Sequence, residues 1–282
     1  MNPSFINSYA KINLTLGVNG KLRSGYHKIE SLISFIDLHD KIRIERIKNK
    51  KHKIKFVGKF SKGINKKNSI FKLLKILDKY KLLKNQKYYI KINKNIPLKA
   101  GLGGGSMNAS SVLKFFLSKK IIKISKKNIF LISELIGSDV KVGLNYKNII
   151  LYSNGKIKVS SKKLRFNIIV AKPNFGCSTK EIYNQVRKFS KIKLLNNKNN
   201  YFNLKQIIKL PNDLERIAFK KYPKLNKINL FLTSLPNIQL SRMTGSGSVI
   251  IGYFLSLNDA KKAAKLFKNK YKNYWCIVSK TI

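Results

Sequence analysis

The sequence predicts an α+β fold, or a mixed layer of helices and strands, divided into two domains. Segments with the period of a strand alternate along the chain with segments that carry helix-capping residues. A chain of 282 residues is long enough for one large domain or for two. Residues 156–163 form a polar connection rich in lysine and serine. We therefore place the domains at residues 1–158 and 159–282.

The first half of the chain begins with a clear strand pattern. Residues 8–18 alternate apolar and polar side chains, so Lys11 and Asn13 point to the face opposite the buried one. Asn68 or Ser69 is placed to cap the first helix. The other expected elements are a loop at 17–27, strands at 32–38, 41–47 and 88–93, and helices at 69–80, 107–117 and 126–136, the last capped by Ser125.

The second half repeats this alternation after the polar connection. Ser178 to Glu181 form a capping box that opens a helix to Lys188, although Thr179 could share the capping role. A second glycine turn, residues 242–248, leads into a strand. The other expected elements are strands at 165–172, 249–254 and 274–278, and helices that begin after Asn212 and after Ser256.

Four glycines and a serine precede the predicted helix at residue 107, at the end of the segment 96–106. Unpaired N–H groups and the helix dipole converge there, which favours phosphate. No Lys-Ser/Thr pair follows, and Gly101, Gly103 and Ser106 do not complete G-x-G-x-x-G, so neither common glycine loop fits. A tight turn is the alternative, but it rarely needs four glycines in five positions. We interpret this segment as a phosphate loop.

Composition limits the remaining classes of function. The net charge is +49, yet the lysines are spread over nearly every segment together with abundant Ile and Asn. A drift toward A/T-rich codons explains this better than a nucleic-acid surface, for which basic residues would cluster. Cys177 and Cys276 lack metal-site spacing and suit a reducing cytoplasm. No apolar run has the length of a membrane span.

Among the eleven acidic residues, Asp139 has an unusual position. It lies at the end of a predicted helix, where the dipole disfavours a carboxylate, and its small neighbours Gly137 and Ser138 allow close approach of a ligand. A plain turn aspartate is an equally good interpretation of Asp139 alone.

Six motifs in order resemble those of the GHMP kinases, small-molecule kinases named after galactose, homoserine, mevalonate and phosphomevalonate. The resemblance covers nearly the whole chain. The motifs are Ala10-Lys11-Ile12-Asn13-Leu14 with Gly25-Tyr26-His27-Lys28-Ile29-Glu30 and Asp37-Leu38, the phosphate loop, Gly137-Ser138-Asp139-Val140, Lys172-Pro173-Asn174-Phe175-Gly176 with Ser178-Thr179, Asn212-Asp213-Leu214-Glu215, and Met243-Thr244-Gly245-Ser246-Gly247-Ser248.

The resemblance implies a ribosomal-S5-like N-terminal domain and a ferredoxin-like C-terminal domain. It implies that ATP, with Mg²⁺ bound to the nucleotide, phosphorylates the 2-hydroxyl of 4-diphosphocytidyl-2-C-methyl-D-erythritol in the non-mevalonate route to isoprenoid precursors. We expect a cytoplasmic enzyme, a monomer or weak homodimer, with no specific nucleic-acid partner and no membrane partner.

The resemblance also implies the site. Asp139 would accept the hydroxyl proton, and Lys11 would stabilise the charge of that carboxylate and the charge that develops. Asn68 resembles an adenine-binding asparagine, although an N-cap explains it equally well. Tyr26 and His27 would bind cytosine, and Asn13 and Thr179 the rest of the substrate. The ATP phosphates would be held by Pro97, Leu98, Lys99, Ala100, Gly101, Leu102, Gly103, Gly104, Gly105 and Ser106.

Two departures and two alternatives accompany this interpretation. Asn108 stands where the family commonly has Asp, so no protein ligand for magnesium is assigned, and Lys141 stands where proline is usual. One alternative is a GHMP kinase of homoserine, mevalonate or a sugar, in which Tyr26 and His27 have no evident purpose. The other is a basic nucleic-acid-binding protein on a kinase scaffold, against which the intact Lys11, Asp139 and phosphate loop argue.

Overall fold

Strands and helices alternate along the part of the chain that the computed structural model describes, residues 2–23, 25–194 and 200–282. The strands are β1 Ser4–Asn13, β2 Gly17–Lys21, β3 His27–Ile47, β4 Lys53–Val57, β5 Lys87–Asn93, β6 Ile149–Leu151, β7 Ile157–Val159, β8 Asn167–Lys172, β9 Leu240–Met243, β10 Ile250–Phe254 and β11 Trp275–Lys280. The helices are α1 Ser69–Lys79, α2 Gly104–Ser118, α3 Lys126–Ile136, α4 Thr179–Asn184, α5 Leu204–Lys209, α6 Leu214–Lys221, α7 Pro223–Thr233 and α8 Leu257–Lys270.

The chain forms two compact units, each built from three stretches of sequence. The first unit comprises Met1–Lys11, Leu38–Leu98 and Gly103–Tyr146, and the second comprises Ile12–Asp37, Lys99–Leu102 and Lys147–Ile282. Both units mix helices with strands, as the α+β prediction requires. The predicted division of the chain after residue 158 stays a prediction.

The core of the first unit lies between its strands and the helices α1, α2 and α3. Strand β5 pairs antiparallel with residues 41–47 of β3 and parallel with β4. Alternate residues of β5, such as Ile90 and Ile92, are fully buried and belong to one apolar cluster with Leu73 of α1 and Phe116 of α2. The period-2 pattern of β5 therefore supplies one apolar face for the three helices.

The core of the second unit lies on a four-stranded antiparallel sheet with the order β11-β8-β10-β9. Small and aromatic residues on one face of α8, including Ala260 and Phe267, pack into this core with Leu225 and Leu232 of α7. Within the same unit, residues 31–33 of β3 pair with β6, and β2 pairs with the beginning of β3. Burial of the apolar faces of α7 and α8 provides most of their stability, as for other short helices.

Several element predictions were wrong in detail. The predicted loop at 17–27 contains β2, and the two strands predicted at 32–38 and 41–47 are one strand, β3. Helix α2 begins at Gly104 rather than at residue 107, and α4 ends at Asn184 rather than at Lys188. Helix α7 was not predicted, although Pro223 at its first turn is a typical helix start.

The capping predictions were more accurate. Asn68 caps α1, Ser125 caps α3, Ser178 caps α4 and Ser256 caps α8, each through its side-chain oxygen. Within the described ranges, no helix combines the length and the apolar character needed to cross a membrane.

Candidate active site

In the first unit, the side chains of Lys11 and Asp139 lie close together. The Lys11 Nζ atom is 3.5 Å from Asp139 Oδ2, although the two residues are far apart in the sequence. Lys11 lies on β1 and is nearly buried, whereas the side chain of Asp139 is 33% exposed. Helix α3 ends at Ile136 with Gly137 as its C-cap, and a hydrogen bond from Val140 N to Gly137 O closes the turn that presents Asp139. The arrangement pairs a shielded ammonium with an accessible carboxylate.

The first turn of α2 lies beside this pair. Gly103 is the N-cap, with a positive φ of 67°, and a Cβ atom added there would lie 2.9 Å from Lys11 Cγ. Gly104, Gly105 and Ser106 form the first helical turn, whose N–H groups have no partner within the helix. Glycine at 103 therefore serves two purposes, because it permits the left-handed backbone and leaves room for Lys11.

A buried ion pair holds the chain where it enters the phosphate loop. Asp40 is fully buried on β3 and pairs with the ammonium of Lys94. The Asp40 Oδ1 atom also accepts hydrogen bonds from the backbone N–H groups of Asn95, at 2.7 Å, and Ile96, at 2.9 Å. Burial lowers the pKa of Lys94, and the charge of Asp40 opposes that effect. The sequence analysis did not identify this pair, because its members are separated by 54 residues.

Residues 99–102 of the phosphate loop belong to the second unit. Lys99 and Gly101 both have positive φ, 50° and 76°. A Cβ atom at Gly101 would lie 2.0 Å from the backbone oxygen of Thr244, so the second glycine turn packs directly against the loop. A second close approach occurs at Gly176, whose Cβ position lies 2.5 Å from Lys99 Cβ. Two turns of the second unit thus fix the backbone of this part of the loop.

The predicted substrate residues all lie in the second unit. Asn13 is buried, and its amide donates a hydrogen bond to Ser31 Oγ at 2.8 Å. The Thr179 hydroxyl is 3.0 Å from that of Ser246, whereas the cap of α4 is Ser178, so Thr179 does not serve as the N-cap. The binding roles of Asn13 and Thr179 stay predictions.

His27 is the first residue of β3, and Tyr26, which precedes the strand, is 72% exposed. The His27 ring lies 5.1 Å from the ring of Tyr183 and 6.4 Å from that of Phe189, measured between centroids. Burial, and then the nearby Lys21, lower the pKa of His27. The neutral imidazole is thereby favoured, and it can both donate and accept a hydrogen bond.

The structure places Asn68 at the N-cap of α1. Its side-chain oxygen accepts the N–H of Phe71 at 3.0 Å, and its amide donates to the carbonyls of Asn65 and Lys66. This is the capping alternative of the sequence analysis, and the adenine contact stays a prediction.

The ammonium of Lys141 lies 3.1 Å from Glu134 on α3.

Known proteins resemble this chain over its full length. A 4-diphosphocytidyl-2-C-methyl-D-erythritol kinase of Pelagibacter ubique (strain HTCC1062) is 55% identical over 282 residues, which is 100% of both chains. The chain belongs to the family of 4-diphosphocytidyl-2-C-methyl-D-erythritol kinases. The kinase of the same name from Clostridium botulinum (strain Loch Maree / Type A3) is 34% identical and covers 98% of this chain and 99% of its own. Residues 68–146 match the family model of the GHMP kinases N terminal domain.

Solved structures confirm the two-domain GHMP kinase fold. A crystal structure of 4-(cytidine 5'-diphospho)-2C-methyl-D-erythritol kinase aligns with a TM-score of 0.78 at 22% identity, over 99% of this chain and 100% of that one. Homoserine kinase from Cytophaga hutchinsonii ATCC 33406 aligns with a TM-score of 0.74 at 14% identity, over 100% of this chain and 95% of that one. Membership of a GHMP kinase family also implies that this chain uses ATP.

One aromatic residue near the predicted cytosine-binding site of this family member was not predicted from the sequence. Tyr183 was treated only as part of a capped helix, yet its ring contacts His27, which lies on a distant strand. The signal that could have found it is an aromatic residue in the first turns of the helix that follows Thr179.

Proposed function

We propose that this chain transfers the γ-phosphoryl group of ATP to the 2-hydroxyl of 4-diphosphocytidyl-2-C-methyl-D-erythritol, here called the cytidyl substrate, in the non-mevalonate route to isoprenoid precursors. The observation that carries the proposal is the 55% identity, over the whole chain, to a kinase named for that substrate. The geometry of the first unit supports the chemistry, because it supplies an ammonium, a carboxylate and a helix N-terminus together.

Phosphoryl transfer to an alcohol needs a proton acceptor and stabilisation of negative charge. Asp139 is the proposed acceptor of the hydroxyl proton, since its carboxylate is accessible and lies beside an ammonium. Lys11 is proposed to stabilise the charge of Asp139 and of the oxygen that attacks. Its burial favours this role, because charge interactions are stronger where water is excluded.

The phosphate groups of ATP are proposed to bind residues 97–106. Unpaired N–H groups at the first turn of α2 and the positive end of the helix dipole favour an anion there. The backbone strain at Lys99 and the close packing at Gly101 and Gly103 support a loop built for one conformation.

Cytosine recognition is assigned to Tyr26, His27 and, from the ring contact, Tyr183. Stacking on a base is worth about 1–3 kcal/mol and tolerates any base, so hydrogen bonds from the neutral His27 ring must provide the preference for cytosine. Asn13 is proposed to contact the hydroxyl groups of methylerythritol, and Thr179 to help close the substrate pocket.

We propose that Mg²⁺ binds with ATP. Among residues 2–23, 25–194 and 200–282, no group of three or more His, Cys, Asp or Glu side chains could hold a metal ion. Mg²⁺ usually keeps several waters and binds through substrate phosphates, and we propose that mode here. The ion would supply charge neutralisation on the phosphates.

Partners and location follow the same proposal. We propose a monomer or weak homodimer without a specific nucleic-acid partner and without a membrane partner. Cys177 and Cys276 are buried free thiols, which supports a reducing, cytoplasmic location.

The proposal is tested by a coupled assay of ATP consumption with the cytidyl substrate present and absent. We expect turnover to depend on that substrate, and Asp139→Asn to lower kcat at least 100-fold with little change in ATP affinity, since general base catalysis contributes about 10²- to 10⁴-fold. Glu134→Gln is the control, because it removes an exposed carboxylate from the end of the same helix α3.

Three results would contradict the proposal. Near-normal turnover by Asp139→Asn would remove that residue from the mechanism. Faster phosphorylation of homoserine, mevalonate or galactose would assign another substrate. Nanomolar RNA binding at physiological salt without kinase activity would favour the nucleic-acid alternative.

A further inference from the structure

Three successive carbonyl groups of the phosphate loop are fixed within the second unit. The carbonyl oxygens of Lys99 and Ala100 accept hydrogen bonds from backbone N–H groups at 3.3 and 3.2 Å. The carbonyl oxygen of Gly101 accepts a hydrogen bond from the hydroxyl of Thr244 at 3.3 Å. Carbonyl dipoles repel an anion, whereas N–H groups attract it. Fixing the direction of these carbonyls therefore determines which side of the loop is favourable to phosphate.

Thr244 has a second bond that connects the loop to β1. Its Oγ1 atom accepts the backbone N–H of Asn13 at 2.9 Å while donating to Gly101 O. Thr244 is fully buried, so no water competes for either bond. One hydroxyl thus joins a predicted phosphate-binding residue to a predicted substrate-binding residue.

The position of Thr244 is itself tightly constrained. The side-chain amide of Asn212 donates to the carbonyls of Met243 and Gly245, one on each side of Thr244, both at 2.8 Å. The Thr244 carbonyl closes a turn by accepting the N–H of Gly247 at 3.0 Å. Because Gly101 has no room for a Cβ atom against this turn, a small shift of Thr244 must be transmitted to the loop.

We propose that Thr244 is a positioning residue for phosphoryl transfer, whose hydroxyl holds Gly101 and Asn13 in one fixed arrangement. The inference rests on the proposed function, since it takes Gly101 as a phosphate-binding residue and Asn13 as a substrate-binding one. Thr244 acts through these two residues. Its loss removes the hydroxyl that accepts the Asn13 N–H and donates to the Gly101 carbonyl, so both backbone segments gain freedom.

The experiment compares Thr244→Val, which keeps the shape and removes the hydroxyl, with Thr244→Ser, which keeps the hydroxyl. Thr281→Val is a matched control, because the buried Thr281 hydroxyl also accepts one backbone N–H, from Phe166 at 3.0 Å, and donates to one carbonyl, of Leu164 at 2.7 Å. Both valine variants should lower Tm by similar amounts.

Kinetics separate the two variants. We expect Thr244→Val to raise KM for ATP and for the cytidyl substrate and to lower kcat/KM about 10- to 100-fold, the loss expected for two hydrogen bonds. Thr244→Ser should remain within about threefold of the unmodified chain. Thr281→Val should keep its kinetic constants. A Thr244→Val enzyme with unchanged kinetics, a Thr281→Val enzyme with an equal loss, or a failure of Thr244→Ser to restore activity would overturn the inference.

A calorimetric titration with ATP alone distinguishes this inference from the proposed function. An unmodified chain that binds ATP but does not phosphorylate the cytidyl substrate would refute the proposed function. In that case the Kd for ATP alone tests the role of Thr244. We expect the Kd of Thr244→Val to be at least fivefold higher than that of Thr281→Val. An unchanged Kd would overturn the positioning role of Thr244.

Discussion

Replacing Gly103 by alanine tests whether the phosphate loop and the proposed catalytic pair depend on one another. The added Cβ atom would lie 2.9 Å from Lys11 Cγ and 3.1 Å from Lys11 Cε. Carbon atoms normally approach no closer than about 3.5 Å, so the Lys11 side chain must move by roughly 0.6 Å or more. A displacement of about 1 Å in a catalytic arrangement costs about 100-fold in rate. We expect Gly103→Ala to lower kcat/KM by about 10- to 100-fold.

Backbone strain alone must be separated from that effect. Gly103 has a φ of 67°, and alanine in the left-handed region costs about 1–2 kcal/mol. Gly63 has a φ of 79° in the same unit, with no atom within 4 Å of its Cβ position. Gly63→Ala is therefore the control, because it carries the same strain without displacing a side chain.

The measurement combines thermal unfolding with the coupled assay on both variants. Gly63→Ala should lose about 1–2 kcal/mol of unfolding free energy, and Gly103→Ala at least as much because it also displaces Lys11. Only Gly103→Ala should lose activity. If the kcat/KM values of Gly103→Ala and Gly63→Ala agree within threefold, the proposed dependence of Lys11 on the loop is refuted.

Three further predictions concern stability and reactivity. Burial lowers the pKa of His52 in the folded chain. The contribution of the neutral His52 ring to the free energy of unfolding is therefore complete above about pH 6.5 and is lost as the pH falls. His52→Gln should remove this pH dependence from unfolding curves. Lys94→Met leaves Asp40 buried without its cation and should cost about 3–5 kcal/mol in denaturant unfolding. Burial raises the pKa of Cys177 to about 11 and of Cys276 to about 12, so alkylation at pH 8 should be slow until the chain unfolds.

The sequence predicted elements well where local signals act alone. Caps such as Ser125 and Ser256 satisfy N–H groups two or three residues away, so the pattern contains both partners. Strand β3 was predicted as two pieces because His39 and Asp40 interrupt its apolar run. The carboxylate of Asp40 remains in the strand because Lys94 and two backbone N–H groups, more than fifty residues away, compensate its burial.

The same distinction holds for the site. The phosphate loop is continuous in sequence, so its glycines could be identified from spacing. The contacts that support the loop could not be identified from its spacing, since Thr244 bonds to Gly101 across 143 residues. In the same way, the ring of Tyr183 contacts that of His27 although most of the first domain's sequence separates them. The order of the motifs indicated the family of the chain, but only the folded structure shows which atoms of these segments are in contact.

The structure also changes the physical reason for singling out Asp139. Asp213 stands at the N-cap position of α6, yet it makes no side-chain cap bond to that helix. Instead Glu30, Asp40, Asp213 and Glu215 each accept hydrogen bonds from backbone N–H groups of distant segments. Carboxylates engaged in this way hold loops in place and are poor acceptors for a substrate proton. Asp139 lies beside an ammonium and is one-third exposed, so a hydroxyl can reach it. Asp40 also has an ammonium as partner, so what distinguishes Asp139 from these four structural carboxylates is its exposure, together with the backbone N–H bonds that occupy the other four.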